Sequence, residues 1–379
     1  MTFRIDSLTA FRRGSAACLF LLLAASVASA QATAPYVRTT VVSPAAGGPA
    51  ASGTALLQAV ANAPAGSSSR WRIQIEPGYY DLGTTPLQMK PYLDIEGAGP
   101  ESTFLFGDGQ SSGTSLSQGV VQGADHAELR DLQISCTTTA EETGCLGIVN
   151  NGVSPKLDNL HVFVSGEANG SHWGIRNIGA SPQIENLVIT AADGLYAYGI
   201  SNTDSQSAVS RPKIRHSRIV AKEASFGNYA VFSKDGSAPE EVLDSKLQAF
   251  YGTSAGAMEH LFEDDVPGPI PVRIEGSLLT AAYGSSNNRG VYFEFGQAKL
   301  TIRDSEINAF NAGGFGVYNS GSIEMQGSKV TGNTFRVVGG EVRIGGSHLA
   351  GSGSVSGTTS LVCAGVWDGN FTFYANTCP

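Results

Sequence analysis

The chain has 379 residues, of which 33 are acidic and 24 basic, giving a net charge of −9. That balance excludes a general binder of nucleic acid or of anionic membrane surfaces. A polyanionic ligand would need a local basic patch to overcome the overall field.

Residues 1–30 read as a secretion signal. Arg4, Arg12 and Arg13 make a positive start, Cys18–Val27 (CLFLLLAASV) is a short apolar run, and Ala28-Ser29-Ala30 is a small-x-small cleavage pattern. The run is too short for a comfortable bilayer span, and no later stretch is long enough. The expectation is a secreted or periplasmic protein, cleaved near Ala30, with no membrane insertion afterwards. Losing those three arginines together with Asp6 leaves 21 basic against 32 acidic residues, a net charge of −11.

Past the signal, Gly53–Ala63 (GTALLQAVANA) has apolar residues at helical spacing, with Thr54 as N-cap and Pro64 as stop. This is the one convincing helix. From Leu129 onward a hexapeptide recurs. Its nine copies are Leu129–Ile134, Leu157–Val162, Ile184–Ile189, Ile214–Ile219, Val242–Leu247, Ile274–Leu279, Ile302–Ile307, Met325–Val330 and Ile344–Leu349. The starts are 28, 27, 30, 28, 32, 28, 23 and 19 residues apart. The template is apolar, variable, Asp/Asn/Gly/His, Leu or Ser, variable, apolar. Its outer apolar positions face inward. Its third position suits a bend with positive φ. The fourth predicts a leucine ladder passing into a serine ladder.

A further strand follows in each coil, marked by Gly147-Ile-Val-Asn150, Gly174-Ile-Arg-Asn177, Gly199-Ile-Ser-Asn202 and Gly316-Val-Tyr-Asn319. The asparagines are placed to bond their equivalents above and below. Pro155, Pro182, Pro212, Pro239 and Pro271 mark strand entries, where a missing N–H is tolerated. Two or three short strands in roughly 27 residues fit one turn of a solenoid and leave no room for a four-stranded propeller blade. The predicted fold is all-β: a single right-handed parallel β-helix of about ten coils over 31–360, roughly 50 Å long at about 4.8 Å per coil. The helix caps one end, and 361–379 cap the other.

Four cysteines remain after cleavage, and export favours disulfides. The local pairs Cys136–Cys145 and Cys363–Cys378 are preferred, because short loops meet easily. Metal binding is disfavoured, since neither pair is a CxxC.

The order helix, Trp71–Tyr80 (WRIQIEPGYY), Tyr92–Gly99 (YLDIEGAG) and Ser102–Gly107 (STFLFG) resembles the opening of the pectin-lyase-like superfamily, at its pectin methylesterase end. The resemblance implies a right-handed β-helix over roughly 36–360, in a superfamily several of whose members act on acidic polysaccharides. The catalytic motifs are not matched: Gly78-Tyr-Tyr80 continues to Asp81 instead of Glu. Asn202-Thr-Asp204 and Asp264-Asp265 lie about two coils apart, without the remaining polygalacturonase motifs. No catalytic residue is assigned, and fold alone assigns no function.

If the strands after the Gly motif stack in register, one outward row holds Val149, Arg176, Ser201, Phe232, Glu259, Tyr292 and Tyr318. Aromatics stack on sugar faces while charges bond hydroxyls or carboxylates, so Arg176, Glu259, Tyr292 and Tyr318 are substrate-binding candidates. The competing reading is an ordinary β face whose aromatics pair with one another. Arg211, Lys213, Arg215 and Arg218 form the densest basic cluster. Arg215 and Arg218 are candidates for a carboxylated glycan, against simple ion pairing with Glu185 and Glu240 or Glu241. Glu263, Asp264 and Asp265 are the weak metal candidates, with calcium the cation such carboxylates would take. No cofactor is otherwise expected. Asn169-Gly-Ser171 and Asn370-Phe-Thr372 match glycosylation acceptors. The reading is a secreted β-helix that engages an extracellular polysaccharide. The alternatives are a polysaccharide lyase, hydrolase or esterase and a structural or adhesive surface protein, with the oligomeric state open.

Overall fold

The computed structural model describes residues 38–379 apart from 65, 67–68, 109, 113–117, 139–142, 168, 206–207, 262–269, 295–297, 312, 339, 351–359, 371 and 378–379. The signal reading and the Glu263–Asp265 loop fall outside the described residues.

Nearly every strand pair is parallel, and each strand pairs with its equivalent one coil away. The connections have the right-handed sense of parallel crossovers, so the fold is a right-handed parallel β-helix. Three ladders run along it. The first contains Gln183–Glu185, Lys213–Arg215 and Glu241–Leu243; the second contains Val188–Ala192, Arg218–Lys222 and Lys246–Phe250. The third contains Thr143–Asn151, Ser171–Ile178, Tyr196–Thr203, Gly227–Lys234, Ser254–Leu261, Asn287–Phe293, Phe315–Asn319 and Thr334–Val337.

The hexapeptide makes the corner between the first two ladders. Its third residue has positive φ in all nine copies: Asp131, Asn159, Asn186, His216, Asp244, Gly276, Asp304, Gly327 and Gly346 lie between 46° and 59°. Asp and Asn tolerate this region because a short polar side chain bonds locally. In the first two copies the strand runs through the corner, as Glu128–Thr138 and Lys156–Gly166; from the third copy onward the hexapeptide splits into two strands.

The fourth residue turns inward just after the corner. Leu132, Leu160 and Leu187 are fully buried, and Ser217, Ser245, Ser277, Ser305, Ser328 and Ser347 continue the row. The N–H groups of Ser217, Ser245, Ser277, Ser305 and Ser328 each donate to the hydroxyl of the next serine at 3.1–3.2 Å. Each hydroxyl from Ser217 to Ser347 donates in turn to the carbonyl two residues earlier, at 2.6–2.9 Å. Polar groups that the corner would bury unpaired are thereby satisfied. On the third ladder, Asn150 donates to Asn177 at 2.9 Å, Asn177 to Asn202 at 2.8 Å and Asn202 to Ser233 at 3.1 Å.

The prolines work as entries by accepting without donating. Pro155, Pro182 and Pro212 carbonyls receive the N–H groups of Gln183, Lys213 and Glu240. Pro271 lies within its strand, Ile270–Glu275.

The capping helix spans Pro49–Asn62, four residues longer at its start than the sequence predicts. Gly48 is the N-cap and Pro49 the first helical residue, where its missing N–H costs nothing. Thr54 is interior, and its hydroxyl bonds back to Ala50 O. Leu56 and Val60 face the core. Gly53 lets the helix settle on the backbone of Asp81, into which any Cβ would run. At the far end the parallel register continues through Ser360–Ala364 and Val366–Asp368, and Phe373–Tyr374 folds back antiparallel. Cys136 and Cys145 form a disulfide. Cys363 is also disulfide-bonded, while Cys378 lies outside the described residues.

Candidate functional site

The outer face of the third ladder gathers most of the candidate residues. Its register runs Val149, Arg176, Ser201, Phe232, Glu259, Tyr292, Tyr318 and then Arg336, one residue per coil. Arg176, Glu259, Tyr292 and Tyr318 therefore share one row. Arg215 and Arg218 stand apart, exposed on the first and second ladders. Arg215 is ion-paired to Glu241 at 2.5 Å, Lys213 to Glu240 at 3.3 Å, and Arg218 reaches Gln248 at 3.4 Å.

A second row lies three residues ahead of the first: Leu146, Trp173, Tyr198, Tyr229, Gly256, Arg289 and Phe315. Two consecutive inward residues, such as Gly174 and Ile175, separate the rows and break simple alternation. A Cβ at Gly174 would collide with Ile189 of the core and with the carbonyl of Gly199. The Gly motif thus brings two outward rows close together. This row is absent from the sequence reading, although three of the four Gly motifs are preceded by a ring, Trp173, Tyr198 or Phe315.

The rings form two stacked runs on either side of Gly256, with Tyr229 and Tyr292 themselves buried. Trp173 stacks on Tyr198 with centroids 5.5 Å apart, and Tyr198 on Tyr229 at 5.4 Å. Phe232 leans against Tyr198 and Tyr229, and Phe226 meets Tyr196 edge-on. Beyond Gly256, Tyr292 stacks on Tyr318 at 4.8 Å, with Phe315 across both. Three arginines lie over these rings: Arg176 at 5.8 Å from Trp173, Arg289 at 3.9 Å from Tyr292 and Arg336 at 5.6 Å from Tyr318. Such cation–π contacts favour guanidinium groups. Burial raises the Tyr198 and Tyr229 phenols well above their ordinary range, and their neighbours' negative charge adds to it. Tyr292 is pushed to about 12, chiefly by burial.

Glu259 occupies the gap at Gly256. The sequence places it outward, yet its side chain is only 1% exposed. It folds over Gly256, where a Cβ would lie 2.7 Å from its Oε2 and 2.9 Å from the Tyr229 ring. Arg289 donates to Oε1, while Oε2 is buried without a hydrogen bond. Burial lifts this carboxyl to about 7; Arg289 opposes the shift and Glu294 adds to it. Next to it inside the coil, His260 stacks on Phe293 at 5.2 Å and is lowered to about 4, mainly by burial and then by Arg211.

Among the described residues no group of three or more His, Cys, Asp or Glu side chains is placed to hold a metal ion. No helix among them is long and apolar enough to cross a membrane.

No protein-family model matches the sequence, and comparison with curated proteins finds no relative. Solved structures of low identity are similar. The A-module of mannuronan C-5 epimerase AlgE6 from Azotobacter vinelandii is 15% identical with a TM-score of 0.46, covering 83% of this chain and 96% of its own. PfbA, a surface adhesin of Streptococcus pneumoniae, is 10% identical at TM-score 0.47, covering 87% and 90%. The catalytic domain of a GH87 alpha-1,3-glucanase is 14% identical at 0.44, covering 84% and 66%. The coil register described above establishes the fold.

Proposed function

We propose that this protein engages an extracellular or periplasmic polysaccharide along the outer face of the third ladder. The observation that carries the reading is the run of stacked rings from Trp173 through Tyr198 to Tyr229, with arginines laid beside it. The outer edges of the stacked rings give an apolar strip on which the C–H groups of sugars pack, and guanidinium groups supply directed donors to sugar oxygens. The formed Cys136–Cys145 disulfide supports an oxidising compartment. Lys213 and Arg215 of the first ladder already have carboxylate partners, which supports placing the ligand here.

The test is affinity electrophoresis of the exported protein through gels containing neutral and acidic glycans, comparing wild type with Tyr198→Ala and Trp173→Ala. Retardation of wild type by at least one glycan, lost in both variants, is the expected result. Retardation that survives both substitutions would move the ligand to another face.

A second reading makes the same face a lyase or hydrolase site, and Glu259 favours it. A carboxyl held near 7 between an arginine and a tyrosine suits proton transfer at neutral pH. Its burial requires the face to open before the carboxyl meets a ligand. Appearance of oligosaccharides from a bound glycan, abolished in Glu259→Gln, would select this reading; unchanged chain length after prolonged incubation would exclude it.

A further inference from the structure

The corner between the second and third ladders carries exposed rings where the backbone disfavours them. The residue after each strand of the second ladder turns this corner with positive φ: Asp193 at 65°, Glu223 at 64°, Tyr251 at 70° and Tyr283 at 62°. Asn311, at 78°, turns it in the next coil. Asp and Asn hold this conformation through short polar side chains, whereas a tyrosine in it is strained. Tyr251 and Tyr283 are 48% and 61% exposed, so burial does not offset the strain. Their rings stack with centroids 5.5 Å apart, and Phe250 lies 6.4 Å from each. Phe310, one coil further on, is exposed as well. Strain and exposed apolar area in one place, without a return in packing, mark a surface kept for a partner.

Charge selects the partner. In the coils before Tyr251 the same corner carries Glu223 and Asp193, with Glu167 exposed beyond them. Against these carboxylates, Lys222 is the one cation among the described residues of the corner, and it pairs with Glu223 at 3.2 Å. Burial and then the charge of Glu223 push the Asp193 carboxyl above its ordinary range, so the acids repel one another and gain from an added cation. We propose that this corner docks an extended basic segment of another protein. One arginine or lysine lies on the Tyr251 and Tyr283 rings, and a second reaches Glu223 and Asp193. Aromatic rings attract cations, and the guanidinium of arginine also stacks on them. At about 4.8 Å per coil, the ring pair and the acid pair lie roughly 10 Å apart, about three residues of extended chain. A polyanionic glycan is repelled here, and a neutral one leaves the carboxylates unused. The protein's net negative charge draws a basic partner in.

The experiment measures, at fixed ionic strength, binding of two labelled peptides to the exported protein: oligo-arginine and its uncharged isostere oligo-citrulline. Wild type is compared with Tyr251→Asn, Tyr283→Asn and Glu223→Gln, asparagine being what the corner carries at Asn311. Wild type should bind oligo-arginine at least about tenfold more tightly than oligo-citrulline. Each tyrosine variant should weaken oligo-arginine binding by about three- to thirtyfold, and Glu223→Gln by a smaller factor. The Tm of both tyrosine variants should equal or exceed that of wild type, because asparagine relieves the strain. A lowered Tm in both would make the rings structural and overturn the proposal. Binding weakened by Glu223→Gln but unchanged in both tyrosine variants would reduce the contact to a general attraction to acidic protein, and would overturn it too. So would equal binding of the two peptides, or binding of neither. Self-association of wild type that Tyr283→Asn abolishes would make a second copy the occupant, and retardation by a neutral glycan that Tyr283→Asn abolishes would make it a sugar; either result overturns the proposal. None of these outcomes turns on Trp173 or Tyr198, so the proposal and the glycan reading of the third ladder succeed or fail separately.

Discussion

A single serine shows how closely each corner is balanced. Ser277 accepts the Ser245 N–H at 3.1 Å and donates to Glu275 O at 2.8 Å, all within the buried row. Ser277→Ala leaves a buried donor and a buried acceptor without this partner, so urea denaturation should show a loss of about 2 kcal/mol. Ser225→Ala, at an exposed turn, should cost less than about 0.5 kcal/mol; equal losses at the two sites would refute the ladder's contribution. Glu259 gives a residue-scale pH dependence. Its pKa rises from 4.5 to about 7 on folding, so the folded state binds the proton more tightly. Its contribution to stability is therefore full below about 4.5, falls as pH rises to about 7 and is flat above. The change is on the order of 3 kcal/mol for a group buried this deeply. Glu259→Gln has no such proton, so its stability relative to wild type should improve across that window in denaturation series at fixed ionic strength. A parallel pair of stability–pH curves would show that Glu259 titrates normally.

Which elements form was largely legible, because each corner repeats a local conformational demand. Nine residues chosen for Asp, Asn, Gly or His at one template position all adopt positive φ, and the serine row follows directly from its spacing. The register of the row from Val149 to Tyr318 was legible for the same reason, one coil setting that of the next, but its outward placement was not: Val149, Ser201, Glu259 and Tyr292 are buried. Burial depends on partners from other coils. The position of Glu259 is decided by Arg289 one coil on and by the missing side chain at Gly256. The sequence trace of that pocket is a glycine where four other coils carry the rings of Trp173, Tyr198, Tyr229 and Phe315. The helix start was missed because the apolar spacing begins after Gly53, while Pro49 and Gly48 set the boundary. Gly53 supplies the element-scale prediction. Gly53→Val would drive a branched side chain into the Asp81 backbone and lift the helix from the first coils. Dye binding to newly exposed apolar surface and self-association through the uncovered strands should both increase. A monomeric variant with wild-type Tm would mean that the helix can shift without uncovering the coils.

Stacked coils contact only their neighbours, so stability along the solenoid is a sum of coil terms and interfaces, and the two ends need not match. At the N-terminal end, Arg38–Val42 pairs with Trp71–Ile75, and the helix packs Leu56 and Val60 onto the same core. Tyr80 adds hydrogen bonds to Val42 O at 3.0 Å and Glu76 O at 2.9 Å, tying three segments together. At the C-terminal end, Ser360–Ala364 leaves Leu361 42% and Val362 56% exposed, and the short strands Val366–Asp368 and Phe373–Tyr374 lie beyond. Asp368 steadies that return by accepting from the N–H groups of Asn370 and Thr372, both at 2.8 Å. These bonds are exposed, and exposed hydrogen bonds with few buried apolar contacts mark regions that open first. Native-state hydrogen exchange should therefore find the amides of Ser360–Ala364 opening well below the global free energy. Those of Ile219 and Ala221 in the middle coils should open only with global unfolding, and Ile73 and Ile75 should follow the middle. Reducing the disulfides should widen the gap at the C-terminal end, where Cys363 is disulfide-bonded. Uniform protection from Ile73 to Val362 would instead mean that the solenoid unfolds as one cooperative unit.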